Sequence, residues 1–188
     1  MINSETIKHN NNQIVINHPA KKIKLIASTG ILAAIITIMT AYIGHIPIGN
    51  GYIHIGDALI YLGASILPLP FAIAAAAIGG GLADLLTAPV WVLSTIIIKS
   101  LLTLIFSRKS NKIVTKRNII ATIIAFFVSS TGYFIAEVII YGLGSNTLFL
   151  AYIYSASGNL IQAIGSGIFY VFLGLTLDKV GFKNKFYN

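Results

Sequence analysis

From residue 25 to residue 177 the chain passes through six apolar segments, and twelve of its thirteen lysines and arginines stand in only three of the stretches around them. The segments run 25–43, 55–67, 71–86, 89–106, 119–141 and 152–177. Lys8, Lys21, Lys22 and Lys24 precede the first, Arg108, Lys109, Lys112, Lys116 and Arg117 separate the fourth from the fifth, and Lys179, Lys183 and Lys185 follow the sixth. The stretches 44–54, 87–88 and 142–151 hold none. Basic residues stay on the cytoplasmic side of a membrane. Six spans with both ends inside put all twelve there, and an odd number does not. The reading is an all-α integral membrane protein of six transmembrane helices with cytoplasmic N- and C-termini.

Composition agrees. Only 10% of residues are charged and 56% are hydrophobic, against about 25% charged in soluble domains, so the lipid bilayer is the solvent that fits. The net charge of +8 raises nucleic acid as a partner, but the basic residues are dispersed between apolar runs with no compact basic domain, and topology accounts for them. The absence of cysteine excludes disulfides, thiolate catalysis and Cys-based zinc sites. The first 24 residues are polar and rich in Asn, His and Lys; they read as a cytoplasmic tail with a surface-lying stretch at 13–16, not as a cleaved signal peptide. Residues 25–177 form the membrane domain and 178–188 a short basic tail. A span needs about 20 residues. The second and third segments are shorter and are broken by Pro68-Leu69-Pro70; they fit a shallow hairpin, or a re-entrant unit that would leave five spans and split the two ends.

Polar groups inside apolar segments are costly and usually face protein or a cavity. Three of the acids, Asp57, Asp84 and Glu137, collect in the outer half of this topology. By helical rise Glu137 lies roughly 8 Å below the outer end of the fifth helix, and Asn159 and Gln162 roughly 10 to 17 Å below that of the sixth. Three stripes share helical faces: Tyr133, Glu137 and Tyr141; Ser155, Asn159, Gln162 and Ser166; Trp91, Thr95 and Lys99. Together they can line one outward-opening pocket offering rings, amides and a carboxylate, a mixture suited to a flat polar heterocycle. Blander roles compete: Asn159 and Gln162 as interhelical glue, Glu137 as a structural group, Asp57 as a helix cap, Asp84 as a solvated carboxylate or a partner for Lys99, Lys99 snorkelling to the cytoplasm, and Trp91 and the tyrosines as interface aromatics. His45 and His54 stand in an outer loop with no metal-ligand spacing. No metal or cofactor is expected.

Small residues form two rows on the first helix, Gly30 with Ala34, and Ala33 with Thr37 and Ala41. Gly79-Gly80-Gly81 and Ala83 line the third. Such rows let helices approach closely, within the chain or against another membrane subunit. The glycine triplet is no phosphate loop, because the Lys-Ser/Thr ending and preceding strand are missing.

The order Gly51-Tyr52-Ile53-His54-Ile55-Gly56-Asp57, then Gly79-Gly80-Gly81-Leu82-Ala83-Asp84-Leu85-Leu86, then Pro89 with Ile98-Lys99, Tyr133 with Glu137, and Asn159-Leu160-Ile161-Gln162 resembles the substrate-binding S components of energy-coupling factor (ECF) ABC importers. The nearest branch is the one for riboflavin, hydroxymethylpyrimidine and pyridoxine-like precursors. The resemblance spans about 25–177 and implies an S-component-like bundle in the bacterial plasma membrane. It implies capture of a small vitamin or precursor from outside under a lid formed by the first loop. It also implies docking, through Gly30 and Ala34, on an ECF transmembrane coupling subunit that carries two ATPase subunits. The expected ligand contacts are Glu137, Asn159, Gln162 and Trp91, followed by Tyr133, Asp84, Lys99 and His54; His54 matches no fixed family residue. An autonomous secondary transporter or channel for a small polar solute, proton-coupled through Glu137 and Lys99, is the alternative. An intramembrane enzyme finds no support: there is no cysteine, no Gly-x-Ser-x-Gly and no histidine inside a span.

Overall fold

The computed structural model describes residues 19–43, 45–48, 51–142 and 148–187, with the main chain alone at 48, 51–53, 148–151, 154 and 155. The stretch expected at 13–16 lies outside the described residues, as does the side chain of Ser155. The elements run α1 (Pro19–Ala41), β1 (Ile46–Ile48), β2 (Gly51–Ile53), α2 (Asp57–Ile66), α3 (Leu69–Thr87), a short 3₁₀ turn (Pro89–Trp91), α4 (Val92–Ile105), α5 (Lys116–Tyr141), α6 (Leu148–Lys179) and α7 (Phe182–Tyr187). Four stretches are long and apolar enough to cross a membrane: Pro19–Ala41, Leu69–Thr87, Lys116–Tyr141 and Ala156–Lys179. Asp57–Ile66 and Pro89–Ile105 are apolar but shorter.

The brevity of α2 has a packing reason. Nine of its ten residues are buried, so it is the axis of the bundle and not a lipid-facing element. Tyr61 on α2 stacks on Phe106 at 4.7 Å and meets Tyr170 of α6 edge-on at 6.0 Å. Around this axis, large apolar side chains such as Ile31, Leu93, Ile139 and Ile168 remain exposed, the inside-out pattern of a chain solvated by lipid.

Glycines set the closest helix approaches. A Cβ on Gly79 would lie 2.8 Å from the Ala33 carbonyl oxygen and from Ile36 of α1. Thr37 Oγ1 donates to the Gly79 carbonyl at 3.0 Å across the same contact. Gly80 leaves room for Thr95 and Lys99 of α4, and Gly132 of α5 for Ile98. Of the two small-residue rows on α1, Ala33, Thr37 and Ala41 are buried, while Gly30 and Ala34 are exposed and nothing lies within 4 Å of a Cβ on Gly30.

The two ends of the bundle differ. At one end β1 and β2 form an antiparallel hairpin, Ile46 opposite Ile53. Gly142 ends α5 there with a φ of 77°, a left-handed conformation that favours glycine. The other end is basic and knitted by polar side chains. Asn118, fully buried, donates to the Ser107 and Ile113 carbonyls at 2.9 and 3.0 Å and accepts from the Ser107 N–H at 2.8 Å. Asp178 accepts from the Ile113 and Val114 N–H groups at 2.7 and 3.0 Å. The stretch read from sequence as a basic tail contains α7, which folds back on the bundle. Its Lys183 ammonium donates to the carbonyls of Ser65, Arg108 and Ser110 at 2.8, 2.9 and 2.7 Å, and Tyr187 donates to the Ile66 carbonyl. Three carbonyls match the three N–H donors of an ammonium, which explains how a lysine is buried here.

Candidate functional site

Near the hairpin end, side chains from α2, α4, α5 and α6 converge. Asp57, the first residue of α2, forms an ion pair with Lys99 of α4 at 2.6 Å, with side chains 2% and 1% exposed. Two opposite charges placed in apolar segments have to pair or leave, because an isolated buried charge costs several kcal/mol (roughly). Lys99 therefore does not snorkel toward the basic end. Nor does Asp57 cap its helix: Gly56 holds the N-cap position, and no side chain bonds there.

The second carboxylate oxygen of Asp57 accepts from Gln162 Nε2 at 2.8 Å. The Gln162 Oε1 in turn accepts from the His54 N–H at 3.3 Å. One amide thus joins α6 to the start of α2 and to the residue that follows β2. His54 is buried, and its Nδ1 accepts from the Gly56 N–H at 3.0 Å, which assigns the ring proton to Nε2. Burial holds the His54 imidazole down to about 4 from its ordinary 6.5; nearby Asp57 acts the other way, and Lys99 and His45 add to the lowering.

Aromatic groups adjoin the ion pair. The Lys99 ammonium lies 5.3 Å from the centroid of the Tyr133 ring, within cation–π range. The Tyr133 hydroxyl pairs with Thr95 at 2.9 Å. Trp91 is buried and its ring centroid is 6.0 Å from those of both Tyr133 and Tyr141. Glu137 stands between these tyrosines on the same stripe of α5 and is half-buried. Lys99 takes Asp57 as its ion-pair partner, not Glu137. Asp84 is buried and acts electrostatically on Lys99 and Tyr133. Asn159, one turn from Gln162, is half-buried.

Residues 20–179 match the family model described as the ECF-type riboflavin transporter, S component. The chain is a member of this S-component family. No curated protein matches it. The family is one of membrane substrate-binding subunits of transporters, not of enzymes.

Within this S component, six of the eight side chains singled out from sequence gather around one locus: Lys99, Gln162, His54, Tyr133, Trp91 and Asp84. Glu137 and Asn159 share stripes with members of that group, and both are half-buried. Sequence reasoning missed Asp57 as the partner of Lys99. The signal was present: a single lysine inside an apolar segment needs an anion, and Asp57, Asp84 and Glu137 were the candidates. Thr95 was seen as part of a stripe but not as the anchor of the Tyr133 hydroxyl. Among the described residues no three His, Asp or Glu side chains converge as a metal site requires.

Proposed function

We propose that this protein is the capture subunit of an ECF-type importer, with six spans and both termini in the cytoplasm, binding a small heterocyclic vitamin or precursor from outside for ATP-driven uptake. The observation that carries this reading is the locus near the hairpin end, where the ring of Tyr133 lies against a buried ammonium and beside Trp91. Rings there suit stacking on a flat heterocycle, and the amides of Gln162 and Asn159, the carboxylates of Glu137 and Asp84 and the ammonium of Lys99 suit its ring nitrogens and carbonyls. The basic residues at the opposite end support its assignment to the cytoplasm. The short α4, extended by the turn at Pro89–Trp91, and the enclosed α2 complete the six. Exposed Gly30 and Ala34 support docking of α1 on the coupling subunit, which carries two ATPase subunits.

The family match makes riboflavin the first ligand to test. Trp91 is the single tryptophan, so titration of the purified ligand-free protein with riboflavin, read by quenching of Trp91 emission and by flavin fluorescence, measures binding directly. Saturable binding at submicromolar concentration, together with a vitamin identified by mass spectrometry in the protein as purified, is the expected result. Absence of any co-purifying or titrating heterocycle would sink the reading. Uptake by the chain alone in liposomes, without ATPase subunits, would favour the autonomous transporter instead.

A further inference from the structure

The capture reading leaves open what holds the hairpin against the bundle. Gln162 is buried, and both ends of its amide are engaged: Oε1 by the His54 N–H and Nε2 by Asp57 Oδ2. His54 directly follows β2, and its N–H is a main-chain group, so the contact fixes the path of the chain and not one side chain. The following turn is fixed too. Gly56 donates to His54 Nδ1 at 3.0 Å, and a Cβ on Gly56 would fall 2.1 Å from Thr40 Oγ1 of α1. The Asp57 carboxylate that takes the Gln162 amide is the one paired with Lys99.

We propose that Gln162 is a positioning residue: it latches the β1–β2 hairpin to the Asp57–Lys99 pair, so that the hairpin and the buried charges are released together. The amide suits this role because it presents a donor and an acceptor at once. Glutamate keeps the acceptor for His54 but turns a second carboxylate oxygen on Asp57. Asparagine is one methylene shorter and cannot span both partners. Methionine has similar volume and neither hydrogen bond. A group that only contacts ligand would leave the hairpin unaffected before ligand arrives, whereas the latch acts in the empty protein. This inference deepens the capture reading but does not need its ligand to be known.

The test uses the full chain without ligand in detergent, comparing wild type with Gln162→Met and Gln162→Glu. Hydrogen exchange is read at Ile46 and Ile53, which pair across the hairpin, and at α3 as an internal control. Because the chain has no cysteine, a spin label at Ile46→Cys reports hairpin mobility independently. The latch predicts that Gln162→Met, which loses both hydrogen bonds, speeds hairpin exchange by about tenfold, that Gln162→Glu, which keeps the His54 acceptor but repels Asp57, speeds it by a smaller factor, and that both sharpen the label spectrum, with α3 exchange unchanged. Hairpin exchange equal to wild type in both variants overturns the latch. If Gln162→Met fails to fold, Gln162→Glu with the Ile46 label decides. A latch that holds in a protein that binds no heterocycle would refute the capture reading alone, so the two ideas fail separately.

Discussion

Replacing Asp57 by Asn removes one charge of the buried pair while keeping its shape and an oxygen for Gln162. Lys99 is then left 1% exposed with no carboxylate in contact and only the more distant field of Asp84. Breaking one side of a buried ion pair costs about 3–5 kcal/mol. For a chain of 150–250 residues each kcal/mol moves the melting temperature by about 2–4 °C, so Asp57→Asn should melt on the order of 10 °C below wild type. The assay is thermal unfolding in detergent, followed by Trp91 emission, with monodispersity checked after heating. The partner variant Lys99→Met should lose a similar amount because it strands the carboxylate. The double variant Asp57→Asn/Lys99→Met should recover most of the loss, since the desolvation cost leaves with the charges; a coupling of about 2 kcal/mol or more is expected. A single Asp57→Asn variant within about 2 °C of wild type by that scale, or strictly additive single effects, would refute the claim that this pair is desolvated and mutually dependent.

Gly79→Ala drives a Cβ to within 2.8 Å of the Ala33 carbonyl, a backbone atom that cannot rotate away, and should cost about 1–3 kcal/mol in the same melting assay. Gly30→Ala, which meets nothing within 4 Å, should leave the isolated protein as stable or stabilise it by about 0.5 kcal/mol, whereas Gly30→Leu should weaken co-purification with a coupling subunit without lowering the melting temperature. Acidification should loosen the turn at His54. Because burial keeps this ring neutral down to about 4 when folded but only to 6.5 when unfolded, the unfolded chain binds the extra proton between those values. The stability associated with neutral His54 is therefore present above pH 6.5 and is lost as pH falls toward 4. His54→Asn should flatten melting temperature against pH across that window, and an unchanged slope would count against the assignment.

Much of the architecture could be read from the residues because lipid imposes a simple rule: long apolar stretches separated by charge. The stripe of Trp91, Thr95 and Lys99 and that of Tyr133, Glu137 and Tyr141 follow from helical periodicity and meet as expected at Trp91. Which acid pairs with Lys99 could not be read, because the separation of Asp57, Asp84 and Glu137 from that lysine depends on how the helices pack and not on their order. The shortness of α2 was visible, but its reason, enclosure by neighbours on nearly every side, is a property of the assembled bundle. Gly30 and Ala33 looked alike in sequence; rotation of α1 against α3 buries one and leaves the other facing outward. α7 was hidden because six polar and aromatic residues carry no apolar period, and what holds them is a set of backbone carbonyls supplied from far along the chain.

Those carbonyls bear on the order of assembly. Lys183 is 118 residues downstream of Ser65 and 75 downstream of Arg108. During synthesis α2 and the α4–α5 connection emerge long before the ammonium that ties them together. A chain cut before Lys183 would lack all three of these hydrogen bonds at the basic end while keeping every residue of the hairpin-end locus.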